Sequence, residues 1–346
     1  MLFRMMLMLL ATVSAIQGCV QMKTVNGAEE FEMVYFAQGD EAGKLLYQFS
    51  EIGKDVLPNR MLIDSGGRFF FLERALNRVQ CFEPSGDFSY TANITPESLA
   101  RENESGPEPN LLDMFWFADG SLGVLVALGE SSDGPPNLEI VKCDADGMVV
   151  SHYPLKSVPE TLAAPDNIFC DELGFVWIFD DSWHVFDQYG NFNGLVAVSG
   201  NCVDAKGFCY GDAKPATVSD RSGKLVATLT ADEEPMPDQV TWVSDKGVAI
   251  SWTRGLEETK SPTTLAYQNQ IILFKLDRAD WRFEAAATIE VPPTEYKYPH
   301  DQSDQAIPVQ VYLPKSSIIR GDLLYILAYS NETYWVSKLD ISKFVR

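Results

Sequence analysis

The sequence predicts an all-β protein, a six-bladed β-propeller, and three observations predict it. A turn grammar recurs along the 346-residue chain: a glycine-centred turn, an apolar strand, a loop, a second strand, and then a residue followed four positions later by another glycine. The first glycines of these copies fall at Gly67, Gly120, Gly174, Gly207, Gly247 and Gly321, which makes six units. No stretch reads as a helix longer than two turns; the best candidate, Pro96 to Glu104, reads as a loop. Self-similarity at a period of roughly 30–50 residues marks a repeat architecture. Six units of three or four strands with no long helix fit a circle of blades.

Each unit follows from turn and strand chemistry. Unit one has the turn Asp64 to Gly67, the strand Phe69 to Leu72, a second strand Val79 to Phe82, and Gly86. Unit two runs through Phe115 to Gly120, Leu122 to Leu128, a polar loop over Gly129 to Asn137, Leu138 to Cys143, and Gly147. Unit three has Asp171 to Gly174, Val176 to Phe179, Val185-Phe186 and Gly190. Unit four has Asp204 to Gly207, Phe208 to Tyr210, Ala216 to Ser219 and Gly223. In units one, three and four an aspartate stands three residues before the first glycine. Such an aspartate can accept from backbone amides two residues on, while glycine takes the positive-φ position. The intervening runs are short and mostly β-branched or aromatic, as buried strands are. Units five (Asp245 to Gly247, Val248 to Trp252, Gln270 to Leu276) and six (Ser317 to Gly321, Leu323 to Tyr329, Tyr334 to Leu339) are degenerate.

A circle of blades must be closed. Glu32 to Phe36 or Lys44 to Phe49 can add to the sheet of the last unit and protect its edge. The competing architecture, a pair of β-sandwiches, predicts a polar linker near the middle and no contact between the ends.

The grammar Asp-x-x-Gly, apolar strand, polar turn, Arg-Val-x-x-Phe-x-x-x-Gly-x-Phe resembles the NHL repeat. It matches best at Asn77 to Phe82 with Gly86 to Phe88, and at Val185 to Asp187 with Gly190 to Phe192. The resemblance is closest over residues 61–94 and 164–195, and extends more loosely over 109–155 and 200–230. The repeat's usual Val-Ala-Asp is altered here to Phe71-Leu72-Glu73 and Ile178-Phe179-Asp180. It implies an NHL/TolB-like propeller that binds at one end of its central channel through loops leaving the inner strands. The matching positions are Glu73-Arg74, Asp180, Asp181, Trp183 and His184, Asp212, and Trp252 to Arg254. Relatives by fold include calcium-dependent lactonases and esterases, and lyases.

Charge and the N-terminus speak to compartment. The net charge is −22, spread along the chain, and a field of that sign repels phosphate backbones, so nucleic acid is not an expected partner. Arg4 followed by the apolar run Met5 to Ile16 suits a signal peptide and is too short to span a bilayer. Ile16-Gln17-Gly18-Cys19 resembles the lipobox of bacterial lipoproteins, which implies cleavage before Cys19 and a lipid on that cysteine. Plain secretion is the alternative. The expected organisation is a signal peptide over 1–18, a linker over 19–29 and one propeller domain over 30–346. The mature protein is then exported, monomeric, and in contact with a membrane only through its anchor. Of the remaining cysteines, Cys202 and Cys209 flank a turn and are the candidate disulfide across a hairpin. Cys81, Cys143 and Cys170 sit on apolar strands and read as small buried hydrophobes.

Two places break the repeat. Asp180-Asp181-Ser182-Trp183-His184 is the densest cluster of ionisable groups, and a histidine beside carboxylates suits a general base or a metal ligand as well as a structural role. His300 lies in a long stretch between units five and six that reads as a recognition loop or as a disordered insertion. No nucleophile elbow, zinc-protease, Walker or EF-hand motif is present. The expected function is a tethered or periplasmic propeller that binds a protein or small ligand at the channel mouth, with no cofactor. The alternative is a hydrolase, lactonase or lyase dependent on a divalent cation such as calcium.

Overall fold

The computed structural model describes residues 23–26, 30–48, 57–92, 94–99, 108–129, 137–162, 165, 167–198, 200, 202–211, 216–231, 240–257, 264–297 and 307–345. Two N-terminal strands, β1 (Lys23–Asn26) and β2 (Glu32–Ala37), precede the repeats. Unit one is β3 (Arg60–Ile63), β4 (Phe69–Glu73), β5 (Arg78–Phe82) and β6 (Phe88–Thr91). Unit two is β7 (Pro109–Trp116), β8 (Leu122–Leu128), β9 (Leu138–Cys143) and β10 (Val149–Pro154). Unit three is β11 (Asn167–Cys170), β12 (Val176–Asp180), β13 (Ser182–Phe186) and β14 (Phe192–Val196). Unit four is β15 (Cys202–Val203), β16 (Cys209–Tyr210), β17 (Thr217–Ser219) and β18 (Leu225–Thr228), followed by the short β19 (Thr230–Ala231). Each unit is a four-stranded antiparallel sheet in chain order. The segment from Pro96 holds a single helical turn, Pro96–Leu99.

The rest of the chain forms one larger, ten-stranded sheet from β20 (Val240–Val243), β21 (Val248–Glu257), β22 (Thr264–Asp277), β23 (Arg282–Lys297), β24 (Ile307–Arg320), β25 (Leu323–Tyr329) and β26 (Thr333–Asp340), together with β2 and with β1 and β19, which both pair in parallel with β23. Its order is β2-β26-β25-β24-β23-β22-β21-β20. It contains two four-stranded runs, β20 to β23 and β24-β25-β26-β2. Among the described residues they pair where β23 meets β24, at Glu295 to Lys297 against Ile307 to Gln310. The stretch that the sequence left between a loop and a disordered insertion is therefore largely strand up to Lys297 and again from Ile307. Prolines within a strand argue against it. Here Pro292 and Pro293 fall where the β22–β23 register shifts between Tyr267 and Asn269, a bulge that needs no ladder hydrogen bond from them.

The ends close on one another. β2 pairs with β26 from Glu32↔Lys338 to Ala37↔Thr333. Phe36 then packs edge-on against Phe69, Phe71 and Phe82 of unit one, with ring centroids 5.0–5.5 Å apart. That contact excludes the sandwich pair.

The first strands of the units form the inner ring. β3 touches β7, β7 touches β11, β15 touches β20, β20 touches β24, and β24 touches β3. The recurring aspartates fold their own turns. Asp171 Oδ1 accepts from the amides of Leu173 (2.9 Å) and Phe175 (3.1 Å), and Asp204 Oδ1 does the same for Lys206 and Phe208, both at 3.0 Å. Gly190 takes φ +77°, and a Cβ there would stand 2.4 Å from the Pro154 carbonyl of the neighbouring unit. Glycine is required at that place both for conformation and for space.

Candidate functional site

Two adjoining cavities lie among the inner strands. The larger, about 320 Å³, opens among the turns that follow the first strands, at Ala205, Ser244-Asp245 and Gly321. Its walls are apolar and aromatic: Leu62 and Ile63 from β3, Phe115 and Trp116 from β7, Trp242 from β20 and Ile318 from β24. The smaller, about 40 Å³, continues past Met61, Asn167, Cys202 and Thr241. Arg60, Phe169, Trp242 and Ile318 border both and form the constriction between them.

Arg60 is the charged group at that constriction. Its Nη1 donates to Asn167 Oδ1 and its Nη2 to the Ile168 carbonyl at 3.1 Å, which fixes the guanidinium plane against unit three. On the other side stands Asp113, with Oδ2 3.8 Å from Arg60 Nη1. Asp113 sits where the β7–β8 register shifts, so an inner strand of apolar residues turns one carboxylate inward. It is 3% exposed. Oδ1 accepts from the Met114 amide at 2.8 Å. Burial pushes the Asp113 carboxyl above the usual carboxylate range, and Arg60 pulls against it. Arg74 is the second cation near this carboxylate; its Nη2 reaches the Pro165 carbonyl at 3.4 Å, and its Nε is buried without a hydrogen bond.

The residues expected from sequence are placed differently. Glu73-Arg74, Asp180-Asp181 and Trp252 follow or lie on second strands, one strand removed from the axis, so they do not leave the inner strands as expected. The apolar run after each first glycine is the second strand because another strand, before that turn, takes the axial place. Glu73 is buried and wires unit one to the N-terminal segment: Oε2 accepts from Arg78 Nε (2.7 Å) and Gln80 Nε2 (2.6 Å), and Oε1 from the Leu46 amide (2.5 Å). Asp181 is exposed, with φ +58°, in the tight connection between β12 and β13. Trp183 is buried, donates from Nε1 to the Gly200 carbonyl at 2.7 Å, and borders the small cavity. His184 is buried beside Phe192, and burial pulls its imidazole below the ordinary range against the opposing effect of Asp180. Trp252 donates from Nε1 to Ser317 Oγ at 3.0 Å, tying β21 to β24. Arg254 lies in β21 opposite Asn269, and its side chain falls outside the described set. Asp212, His300 and Cys19 lie outside the described residues.

The expected Cys202–Cys209 bridge is not formed. The register sets Cys202 opposite Tyr210 and Val203 opposite Cys209. Because side chains alternate along a strand, the two sulfurs face opposite sides of the sheet and join different apolar clusters. Cys81, Cys143 and Cys170 are buried, and burial raises their thiols to about 11, about 12 and about 12. Among the described residues no group of three His, Cys, Asp or Glu side chains is placed to hold a metal ion, so the divalent cation of the hydrolase reading finds no ligand set there.

Sequence reasoning missed Arg60, Asp113 and Asn167. The available signal was Asp113 itself, a lone acid inside Leu111 to Phe117.

Fold and channel together define an all-β, propeller-type protein with a narrow axial cavity. No family model and no curated protein matches the chain. Among solved structures it is similar to virginiamycin B lyase from Staphylococcus aureus, at 9% identity over 90% of this chain and 100% of that one, with a TM-score of 0.43. It is similar to a luciferin-regenerating enzyme at 11% identity, over 90% and 96%, with a TM-score of 0.46. A gluconolactonase from Xanthomonas campestris gives 11% identity, over 90% and 98%, with a TM-score of 0.41. At those scores the likenesses carry no argument about activity.

Proposed function

We propose that this protein is a non-enzymatic binding propeller that takes a small ligand in its axial cavity. The observation that carries the reading is the lining of the cavity of about 320 Å³: apolar and aromatic walls from five inner strands, with Arg60 at the inner end. Ligand sites are concave, mostly apolar and furnished with few polar groups, and this volume is at the small end of their range. The reading counts the two four-stranded runs of the large sheet as blades five and six, closed by β2. It also takes the chain as exported and held to a membrane by lipid on Cys19, which the apolar run Met5 to Ile16 and the following Gly18-Cys19 support.

The test is thermal-shift screening of ring-containing small molecules against the parent and Ala205→Trp, a substitution at the cavity mouth. Compounds that raise the melting temperature of the parent and leave the variant unmoved are expected. Equal shifts in both, or no shift with any compound, overturn the axial site.

A further inference from the structure

We infer that the axial cavity selects an organic anion: a ring-sized apolar body seated against the walls, with a carboxylate-like head on Arg60. This rests on the reading of the cavity as a ligand site and adds the chemical class. Arg60 is the charged residue at the inner end of the larger cavity; the other two charged lining residues, Asp245 and Arg320, are exposed, opposite in sign and at the mouth.

The guanidinium is pre-oriented. Hydrogen bonds to Asn167 Oδ1 and the Ile168 carbonyl use two of its five N–H donors and hold its plane. Asp113 is at 3.8 Å, beyond hydrogen-bond distance, so it neutralises Arg60 in part without occupying those donors. Burial further weakens Asp113 as a counter-charge by favouring its neutral form. A planar carboxylate matches the guanidinium fork better than any neutral acceptor does. A cation entering the same place meets the like charge of Arg60. The body of the ligand is set by Phe115, Phe169, Trp242, Leu62 and Ile318, whose faces and edges suit a fused ring.

The experiment is isothermal titration of the purified protein with three probes sharing one skeleton: 1-naphthoate, 1-naphthamide and 1-naphthylmethylammonium. Naphthoate is expected to bind about tenfold or more tightly than the amide, the difference one charge-assisted hydrogen bond makes. The ammonium is expected to bind more weakly than either. In Arg60→Met the preference for naphthoate over the amide is expected to vanish. Equal affinity for naphthoate and amide in the parent overturns the anion class and leaves the axial site standing. Absence of binding by all three overturns both. The comparison within the parent decides the class even where Arg60→Met fails to fold.

Discussion

Arg278 Nη2 donates to Asp204 Oδ2 at 2.8 Å, joining the outer turn of the fifth unit to the inner turn of the fourth. The same oxygen accepts from Tyr210 OH at 2.8 Å, and Asp204 has no exposed surface. One unit earlier the arrangement repeats: Asp171 Oδ2 accepts from Trp177 Nε1 at 3.0 Å and from Arg221 Nε of unit four. Asp171 and Asp204 thus do two tasks with two oxygens, one folding the turn and one fastening the next unit. Arg278→Met leaves a buried carboxylate without its cation, a change that costs about 3–5 kcal/mol in comparable settings. Tyr210→Phe removes one donor from the same oxygen and is expected to cost about 1–2 kcal/mol. Denaturant unfolding of the two variants checks the order, and a Tyr210→Phe cost equal to that of Arg278→Met contradicts it.

Closure of the ring depends on Phe36. This residue arrives on β2, which belongs to the last sheet, and its ring sits among Phe69, Phe71 and Phe82 of the first. Phe36→Ala is expected to destabilise by about 3–5 kcal/mol through lost burial and an unfilled cavity. The loss should show as earlier hydrogen exchange in β26, whose outer edge β2 covers, ahead of units two and three. Uniform loss of protection across all sheets contradicts a local closure.

The repeat was legible because turns are local. An aspartate that binds amides two and four residues on, followed by a glycine at positive φ, leaves its mark within five residues, as at Asp171 to Phe175. The inner strands of units one, three and four were not legible. β15 is two residues long and β3 and β11 are four, too short for a periodic signal, yet these strands line the channel. The long β23 was hidden by Pro292 and Pro293, whose tolerance depends on a bulge set by β22. The cysteines misled for a related reason. Flanking a turn suggests facing partners, but a register offset of one residue sends Cys202 and Cys209 to opposite faces.

His184 gives the stability a pH dependence whose sign is fixed. Its folded-state affinity for a proton lies below the ordinary imidazole value because the ring is buried, so the unfolded chain binds the proton more tightly. Stability is therefore full above the ordinary imidazole range and falls as pH drops through it. His184 Nδ1 is buried with no hydrogen-bond partner, so His184→Phe removes the proton site without breaking a hydrogen bond there. Between about pH 7.5 and 5.5 the variant is expected to lose less stability than the parent, with the two within about 1.5 kcal/mol at the upper end. Parallel curves contradict the assignment.

Asp113 carries the opposite sign, and the channel makes it the sharper case. Its carboxyl binds a proton more tightly in the folded chain than in the unfolded one, because burial outweighs the attraction of Arg60. The folded chain thus holds more protons as pH rises through the ordinary carboxylate range, and stability declines across that window. Asp113→Asn keeps the shape and the acceptor for the Met114 amide and removes the titration. Relative to the parent it is expected to be neutral below about pH 4 and to gain stability as pH rises above it. The competing outcome is a loss of about 3–5 kcal/mol at neutral pH, which is what breaking a buried ion pair costs when the Coulomb attraction dominates. The separation of 3.8 Å between Asp113 Oδ2 and Arg60 Nη1 argues for the gain. Urea melts of parent and variant at two pH values, one on each side of the carboxylate range, separate the two outcomes by sign.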